Sequence, residues 1–279
     1  MKITLAKTAG FCFGVKRALD KLLEAAQSNS KVVILGDIVH NEDVVRSLKK
    51  VGIKKTTKLT KGDGTTLLIR AHGTPLRTYQ KAQKLNYNIV DATCPMVKEI
   101  HKIAKDAENK GYKIIVIGDK NHDEVRGIMG QLETKSLVIN TSYFPLKEIK
   151  KIKKAAIVVQ STQNTEKVLK LSEKLKKYIK DLKFFNTICN PTRRKQEEIR
   201  KMPLENDLML IVGSKTSANT KRLYEISKSL NKQSHWIQSK KNINPVWFRR
   251  AKSVGITAGA STPESTIREV INHIKKITS

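Results

Sequence analysis

Short apolar runs alternate along the chain with longer stretches in which an apolar residue recurs every third or fourth position. The runs predict strands, and the periodic stretches predict amphipathic helices. Because runs such as VVILG and LMLIVG contain almost no polar position, we expect these strands to be buried on both faces, as in parallel sheets covered by helices. The predicted strands are 31–39, 65–71, 88–92, 112–118, 155–160, 183–188, 207–213 and 253–257.

Amphipathic segments fit between these strands. Residues 15–26 predict a helix with its apolar side chains on one side. The most lysine-rich part of the chain predicts another, whose lysines would cover the outer face. Its apolar stripe consists of Val168, Leu171, Leu175, Tyr178 and Ile179. This alternation of strands and helices predicts an α/β fold with mostly parallel sheets.

A repeated spacing divides the chain into three parts. Three pairs of residues lie 24 positions apart: Cys12 with Gly36, Cys94 with Gly118, and Cys189 with Gly213. Each glycine ends an apolar run, and polar residues follow at four and six positions beyond it: His40, His122 and Ser217, then Glu42, Glu124 and Asn219. The repeat predicts three pseudo-repeated α/β lobes, spanning 12–93, 94–187, and 188–279 together with 1–11.

The recurring polar residues follow predicted strands, where α/β proteins bind their ligands. We therefore expect three sets of strand ends to enclose one central site. Besides the residues named above, the motifs AHGT, VQST and AGAST contribute hydrogen-bonding side chains at His72, Ser161, Thr162 and Ser261. Such groups bind phosphate oxygens well. Glu124 is a possible proton donor if its surroundings raise its pKa.

Each cysteine lies at a predicted strand-to-helix junction, where a helix N-terminus favours a thiolate. One equivalent cysteine in each repeat argues against three unrelated buried side chains. A zinc site is disfavoured because no CxxC pair exists. An iron–sulfur cluster held by Cys12, Cys94 and Cys189 would leave one iron open to a substrate oxygen.

The composition adds a large positive charge to this picture. The 279 residues include 55 basic and 25 acidic side chains, giving a formal net charge of +30. Binding of nucleic acid is one interpretation. A lysine-rich solvated surface is the one we favour, because aromatic residues make up 5% of the chain and no nucleic-acid-binding signature is present.

The sequence predicts no association with a membrane. Its apolar runs are too short to cross a bilayer, and the first ten residues lack the apolar stretch of a signal peptide. Three widely separated cysteines do not form a disulfide scaffold, so we expect a reducing cytoplasm.

Eight segments together resemble the 4-hydroxy-3-methylbut-2-enyl diphosphate reductase family, and the resemblance covers essentially the whole chain. They are GFCFGVKRA (10–18), VHNEDVV (39–45), RAHGT (70–74), DATCPMV (91–97), HDEVRGIMGQ (122–131), TICNPT (187–192), GSKTSANTKRL (213–223) and TAGAST (257–262).

The resemblance implies three lobes around one central [4Fe-4S] cluster per chain, held by Cys12, Cys94 and Cys189. It implies the reductive removal of an allylic hydroxyl, with Glu124 delivering protons, to give isopentenyl and dimethylallyl diphosphate. The substrate, an allylic diphosphate, would contact His40, His72, His122, Ser161, Thr162, Ser217, Ala218, Asn219 and Ser261. An acidic ferredoxin or flavodoxin is the expected electron donor.

Some positions depart from the family pattern. Ser161 stands where threonine is common, Ala218 where serine is frequent, and Asn121 where glycine is usual. After the third cysteine, Pro191 replaces a common alanine and Lys195 a common arginine. Two other classes of function stay open at this point: a basic nucleic-acid-binding protein with structural cysteines, and a zinc protein.

Overall fold

Strands and α-helices alternate along the chain in the computed structural model, which describes residues 1–28, 31–39, 41–50 and 52–278. The strands are β1 Lys2–Leu5, β2 Val32–Leu35, β3 Lys54–Thr56, β4 Thr66–Ile69, β5 Asn88–Asp91, β6 Lys113–Ile117, β7 Leu137–Ile139, β8 Lys154–Val159, β9 Asp181–Phe184, β10 Leu208–Val212, β11 Ser234–Ile237 and β12 Ser253–Ala258. The helices are α1 Phe13–Ser28, α2 Glu42–Lys50, α3 Leu76–Lys84, α4 Pro95–Asn109, α5 Asp123–Met129, α6 Leu146–Ile149, α7 Thr165–Lys176, α8 Asn190–Glu205, α9 Ala218–Leu230 and α10 Glu264–Thr278.

Within these residues the strands form three four-stranded sheets with one repeated order. The orders are β1-β12-β10-β11, β5-β4-β2-β3 and β9-β8-β6-β7. Every strand pair in these sheets is parallel. In each sheet the strand that precedes a cysteine is at one edge, and β1 completes the sheet of the last repeat. The predicted α/β fold with three pseudo-repeated sheets is confirmed.

The central strands are buried on both faces, as their composition predicts. In β8, Ile157 packs into a cluster with the stripe of α7, while its neighbours Ala156 and Val158 pack on the opposite face with α4. The lysines of α7, including Lys167 and Lys170, are exposed. The predicted lysine-covered helix is therefore confirmed, although it ends before Tyr178 and Ile179.

Four strands are missing from the sequence-based prediction: β1, β3, β7 and β11. Each lies at a sheet edge and has three or four residues. A short edge strand has one partner and needs no continuous apolar run, and β3 reads KKT. The strand predicted at 183–188 was also displaced, since β9 spans Asp181–Phe184.

The described chain divides into two compact units. The first unit consists of Met1–Lys16, Val39–Ser47 and Asn190–Ser279 and contains the sheet of β1, β12, β10 and β11. The second unit consists of Arg17–Ile38 and Leu48–Cys189 and contains the other two sheets. The three lobes predicted at 12–93, 94–187, and 188–279 with 1–11 stay a prediction.

Helices long and apolar enough to cross a membrane are absent from the part of the chain that the structure describes.

Candidate functional site

Each cysteine is fixed by the same backbone hydrogen bond. The N–H groups of Cys12, Cys94 and Cys189 donate to the carbonyls of Ala260, Ala71 and Ser161, at 3.1, 3.0 and 3.1 Å. Each acceptor lies two residues beyond the end of a strand: β12, β4 and β8, respectively. The repeat predicted from sequence spacing therefore extends to the hydrogen bond that holds each cysteine.

Each cysteine also directly precedes a long helix. Helices α1, α4 and α8 begin at Phe13, Pro95 and Asn190, and Pro95 occupies the first helical position, which tolerates a missing N–H. None of these three cysteines is in a disulfide, and all three are half-buried. Half-exposed thiols at helix N-termini are suited to bind metal as thiolates.

The donor set fits an iron–sulfur cluster in kind. No three of the described His, Cys, Asp and Glu side chains form a group that could hold a single metal ion. Three thiols outside disulfides, one in each equivalent position, are the type of ligand that iron–sulfur clusters use, and they lack the paired spacing of a zinc site.

Glu124 is the most deeply buried carboxylate of the site. It is 1% exposed and lies in the first turn of α5. Ser161 donates to it twice: the backbone N–H lies 2.6 Å from Oε1, and Oγ lies 2.7 Å from Oε2. Burial raises the pKa of Glu124 to about 6, although both hydrogen bonds from Ser161 oppose the increase. The carboxyl can therefore exchange a proton near neutral pH.

Ser161 connects this acid to a cysteine. Its amide and hydroxyl hold Glu124, while its carbonyl accepts from the N–H of Cys189. Glu124, Ser161 and Cys189 all belong to the second unit. Within it, one serine links a titratable proton donor to the backbone of a cysteine. The threonine-to-serine departure keeps the hydroxyl on which this link depends.

Two predicted histidines lie beside this acid. The rings of His72 and His122 meet edge to face with 5.5 Å between their centroids. His122 caps α5, and its Nδ1 accepts from the N–H of Glu124 at 3.2 Å. Because Nδ1 is an acceptor, a neutral His122 carries its proton on Nε2, where it can donate to an anionic oxygen.

Three residues that were not predicted as site residues support this group. Gln160 is fully buried, and its Oε1 accepts from the N–H of Asp119 at 2.9 Å, in the loop before His122. Arg70 forms an ion pair of 2.8 Å with Asp123, the residue before Glu124. Both belong to motifs visible in the sequence, but their contacts span about forty or fifty residues.

The third supporting residue, His101, fills the space between two glycines. A Cβ at Gly73 would lie 2.8 Å from its Cε1, and a Cβ at Gly127 would lie 3.5 Å from its Nε2. Burial lowers the pKa of His101 to about 4, so the ring is neutral at physiological pH. His101 thus packs α4 against the loop of His72 and against α5.

The first unit brings together a second set of predicted residues. Ser217 caps α9, and Ala218 and Asn219 are its first two residues. Asn219 is 4% exposed, and its Nδ2 has no hydrogen-bond partner among the residues that the structure describes. A buried amide without a partner is costly, so this donor fits a bound anion at the helix N-terminus.

The loop before α9 is held by an aromatic side chain. Lys215 donates to the carbonyl of Trp236 at 2.8 Å and lies 4.2 Å from the centroid of its ring. The Trp236 indole N–H donates to the carbonyl of Gly213 at 2.8 Å. Trp236 therefore holds the loop that leads to Ser217 at two positions, Gly213 and Lys215.

The remaining predicted residues have simple positions. Ser261 is buried in the loop after β12. Thr162 is half-buried, and its hydroxyl accepts from Gln160 at 3.0 Å. His40, predicted as a substrate contact, lies outside the described residues. The substrate contacts of all these residues stay predictions.

Comparisons with known proteins agree on one family. A model of the LytB protein family matches residues 3–275. The chain is similar to the 4-hydroxy-3-methylbut-2-enyl diphosphate reductase of Aquifex aeolicus (strain VF5), with 40% identity over 99% of this chain and 96% of that protein. The reductase of the same name from Clostridioides difficile (strain 630) is 36% identical over 99% of this chain and 100% of its own length.

Two solved structures are also similar over nearly the whole chain. One is (E)-4-hydroxy-3-methyl-but-2-enyl diphosphate reductase, described as the terminal enzyme of the non-mevalonate pathway, with 38% identity, a TM-score of 0.72, and coverage of 99% and 100% of the two chains. The other is the E-1-hydroxy-2-methyl-but-2-enyl-4-diphosphate reductase from Plasmodium falciparum, with 28% identity, a TM-score of 0.90, and coverage of 97% and 87%.

Replacing Ser161 should change the pKa of Glu124. Ser161→Ala removes the hydroxyl that stabilises the carboxylate, so the pKa should increase above about 6, whereas Ser161→Thr should leave it near the wild-type value. Infrared titration of the carboxylate band that disappears in Glu124→Gln measures this pKa. Equal values in Ser161→Ala and wild type would refute the role of the hydroxyl.

Ionisation of Glu124 should also lower the free energy of unfolding at high pH. A carboxyl with a folded pKa of about 6 and an ordinary value of 4.5 is neutral in both states at pH 4, but it must ionise while buried at pH 8. The penalty is about 2 kcal/mol. Urea unfolding should therefore show Glu124→Gln gaining about this much relative to wild type between pH 4 and pH 8. The control is Glu99→Gln, an exposed position, and a pH-independent difference for Glu124→Gln would contradict the prediction.

Proposed function

Because the chain belongs to the LytB protein family, we propose that it reduces (E)-4-hydroxy-3-methylbut-2-enyl diphosphate to isopentenyl diphosphate and dimethylallyl diphosphate. The reaction consumes two electrons and two protons, breaks the allylic C–O bond and releases water. The link from Glu124 through Ser161 to Cys189 supports this proposal best, because one residue binds both the carboxylate of a proton donor and the backbone N–H of a proposed cluster ligand.

The proposal includes one [4Fe-4S] cluster with Cys12, Cys94 and Cys189 as its three protein ligands. When bound, the cluster would supply the electrons and, at the iron without a protein ligand, a Lewis acid for the substrate hydroxyl. The equivalent backbone positions of these three cysteines, none of which is in a disulfide, support this ligand set. Thiolate ligands require a reducing compartment, so the proposal includes a cytoplasmic location.

We propose neutral donors as contacts of the diphosphate and describe each unit by itself. In the first unit these are Asn219 Nδ2, the first N–H groups of α9 at Ala218, and the hydroxyls of Ser217 and Ser261. In the second unit they are His72, the Nε2–H of His122 and Thr162, which follows Ser161 in the chain. His40 completes the proposed set. Buried neutral donors bind phosphate oxygens strongly because water does not compete with them.

Glu124 would deliver the protons. Below a pH of about 6 it carries a proton on its carboxyl group, and Ser161 keeps that group fixed by two hydrogen bonds. Protonation of the departing hydroxyl turns a poor leaving group into water. The Ser161 hydroxyl can exchange its proton with the carboxylate, so it gives Glu124 a second route for protons.

Anaerobic isolation and assay test this proposal. The protein should contain about four irons per chain and should convert the hydroxy-allyl diphosphate with a chemical reductant. Glu124→Gln should keep its iron and lose turnover by about 100-fold or more. Glu99→Gln is the matched control. Protein without iron, or Glu124→Gln with normal turnover, would show that the proposed chemistry is wrong.

The electron donor is proposed to be an acidic ferredoxin or flavodoxin, because the chain carries a net charge of +30. Reduction by such a protein should slow as salt rises from about 50 to 500 mM, since opposite charges are then screened. Reduction by a small chemical reductant in the same buffers is the control. Equal salt dependence for both reductants would contradict an electrostatic role.

A further inference from the structure

A buried lysine in α8 forms hydrogen bonds to the backbone just before Cys12. Lys195 is 2% exposed, and its Nζ donates to the carbonyls of Thr8, Gly10 and Ala258, the last two at 3.1 and 3.2 Å. Three carbonyl acceptors match the three N–H donors of an ammonium group. A buried charge needs such partners, so the contact is specific to a cation.

Glu198 holds the same stretch, residues 7–10, by its N–H groups. Its carboxylate accepts from the backbone N–H of Lys7 at 2.6 Å, and from the N–H and hydroxyl of Thr8 at 3.0 and 2.5 Å. Lys195 and Glu198 lie one helical turn apart and therefore share a face of α8. Together they bind both carbonyls and N–H groups of this stretch, which we call the Cys12 loop.

The Cys12 loop is tied to the end of β12, and Cys12 itself is tied to the segment that follows β12. Lys195 joins Gly10 to Ala258, the last residue of β12, and the N–H of Cys12 donates to Ala260. Gly10 has a φ of +90°, which favours glycine, and a Cβ there would lie 3.2 Å from Ile267 Cδ1. The loop path is thus set by charged side chains as well as by the backbone.

The loops of the two other cysteines are held by different contacts. In the loop of Cys94, Asp91 Oδ1 accepts from the N–H of Thr93 at 2.9 Å, and the Thr93 carbonyl accepts from Arg17 of α1 at 3.1 Å. Before Cys189, the Thr187 hydroxyl donates to the carbonyl of Val159 at 2.6 Å. The Cys12 loop, by contrast, is held by two charged side chains of α8, more than 180 residues away in the chain.

We propose that Lys195 and Glu198 are positioning residues that fix Cys12 as a cluster ligand. The helix that begins one residue after Cys189 thereby also determines where Cys12 is presented. This inference rests on the proposed cluster. Arginine would keep a positive charge and several N–H donors at position 195, so it is the conservative replacement there.

Thiol reactivity and iron retention in full-length variants test the inference. In Lys195→Met, the cluster-loaded protein should lose iron to a ferrous chelator about tenfold faster than wild type. In the same chain isolated without iron, iodoacetamide should alkylate Cys12 about tenfold faster, with Cys94 and Cys189 unchanged, because only the Cys12 loop is freed. Lys195→Arg and the exposed Arg194→Met are controls that should match wild type.

Equal rates for Cys12 in Lys195→Met and wild type would overturn the inference. If Lys195→Met makes all three thiols reactive because it unfolds, Glu198→Gln decides, with the exposed Glu197→Gln as its control. Faster alkylation of Cys12 alone in Glu198→Gln supports the inference, and any other result overturns it. Wild-type protein that never holds iron would instead refute the proposed function. The alkylation rates would still test whether Lys195 and Glu198 fix the Cys12 loop.

Discussion

The backbone N–H of each cysteine donates to a carbonyl two residues past the end of the neighbouring strand, and the position of each thiol depends on this hydrogen bond. The bond joins the start of a long helix to the loop that follows β12, β4 or β8, and each of these loops contains residues of the predicted site. Ser161 holds both a cysteine and the buried acid. Its carbonyl accepts from the N–H of Cys189, while its amide and hydroxyl donate to Glu124. Ligand and acid are therefore positioned by one segment of backbone.

Burial gives Glu124 the raised pKa that an acid catalyst needs, and the same burial lowers the stability of the folded protein when the carboxyl ionises. Water is excluded from its carboxyl, so its pKa increases to about 6, and the two hydrogen bonds from Ser161 limit that increase. An exposed glutamate would be ionised at neutral pH and would be a poor acid. The packing of Gln160, Arg70 and His101 around α5 and the adjoining loops holds the group in this environment.

The repeat and the cysteines could be predicted from sequence because both are local patterns. Equal spacing placed Cys12, Cys94 and Cys189 at equivalent strand-to-helix junctions, and the structure extends that equivalence to their backbone hydrogen bonds. Four of the edge strands and the burial of Glu124 could not be predicted in this way, because they depend on neighbours distant in the chain. Lys195 is the clearest example: a lysine on a polar helix predicts exposure, yet its three acceptors lie on other segments.

The central claim is that three equivalent thiols hold one cluster and leave one iron without a protein ligand. Mössbauer spectroscopy of anaerobically isolated, isotopically enriched protein tests it most directly. The account predicts two classes of iron in a ratio of about 3:1, with the minor class perturbed when the hydroxy-allyl diphosphate is added. Four equivalent irons whose Mössbauer signals do not change when the substrate is added, or a spectrum without a cluster, would contradict it.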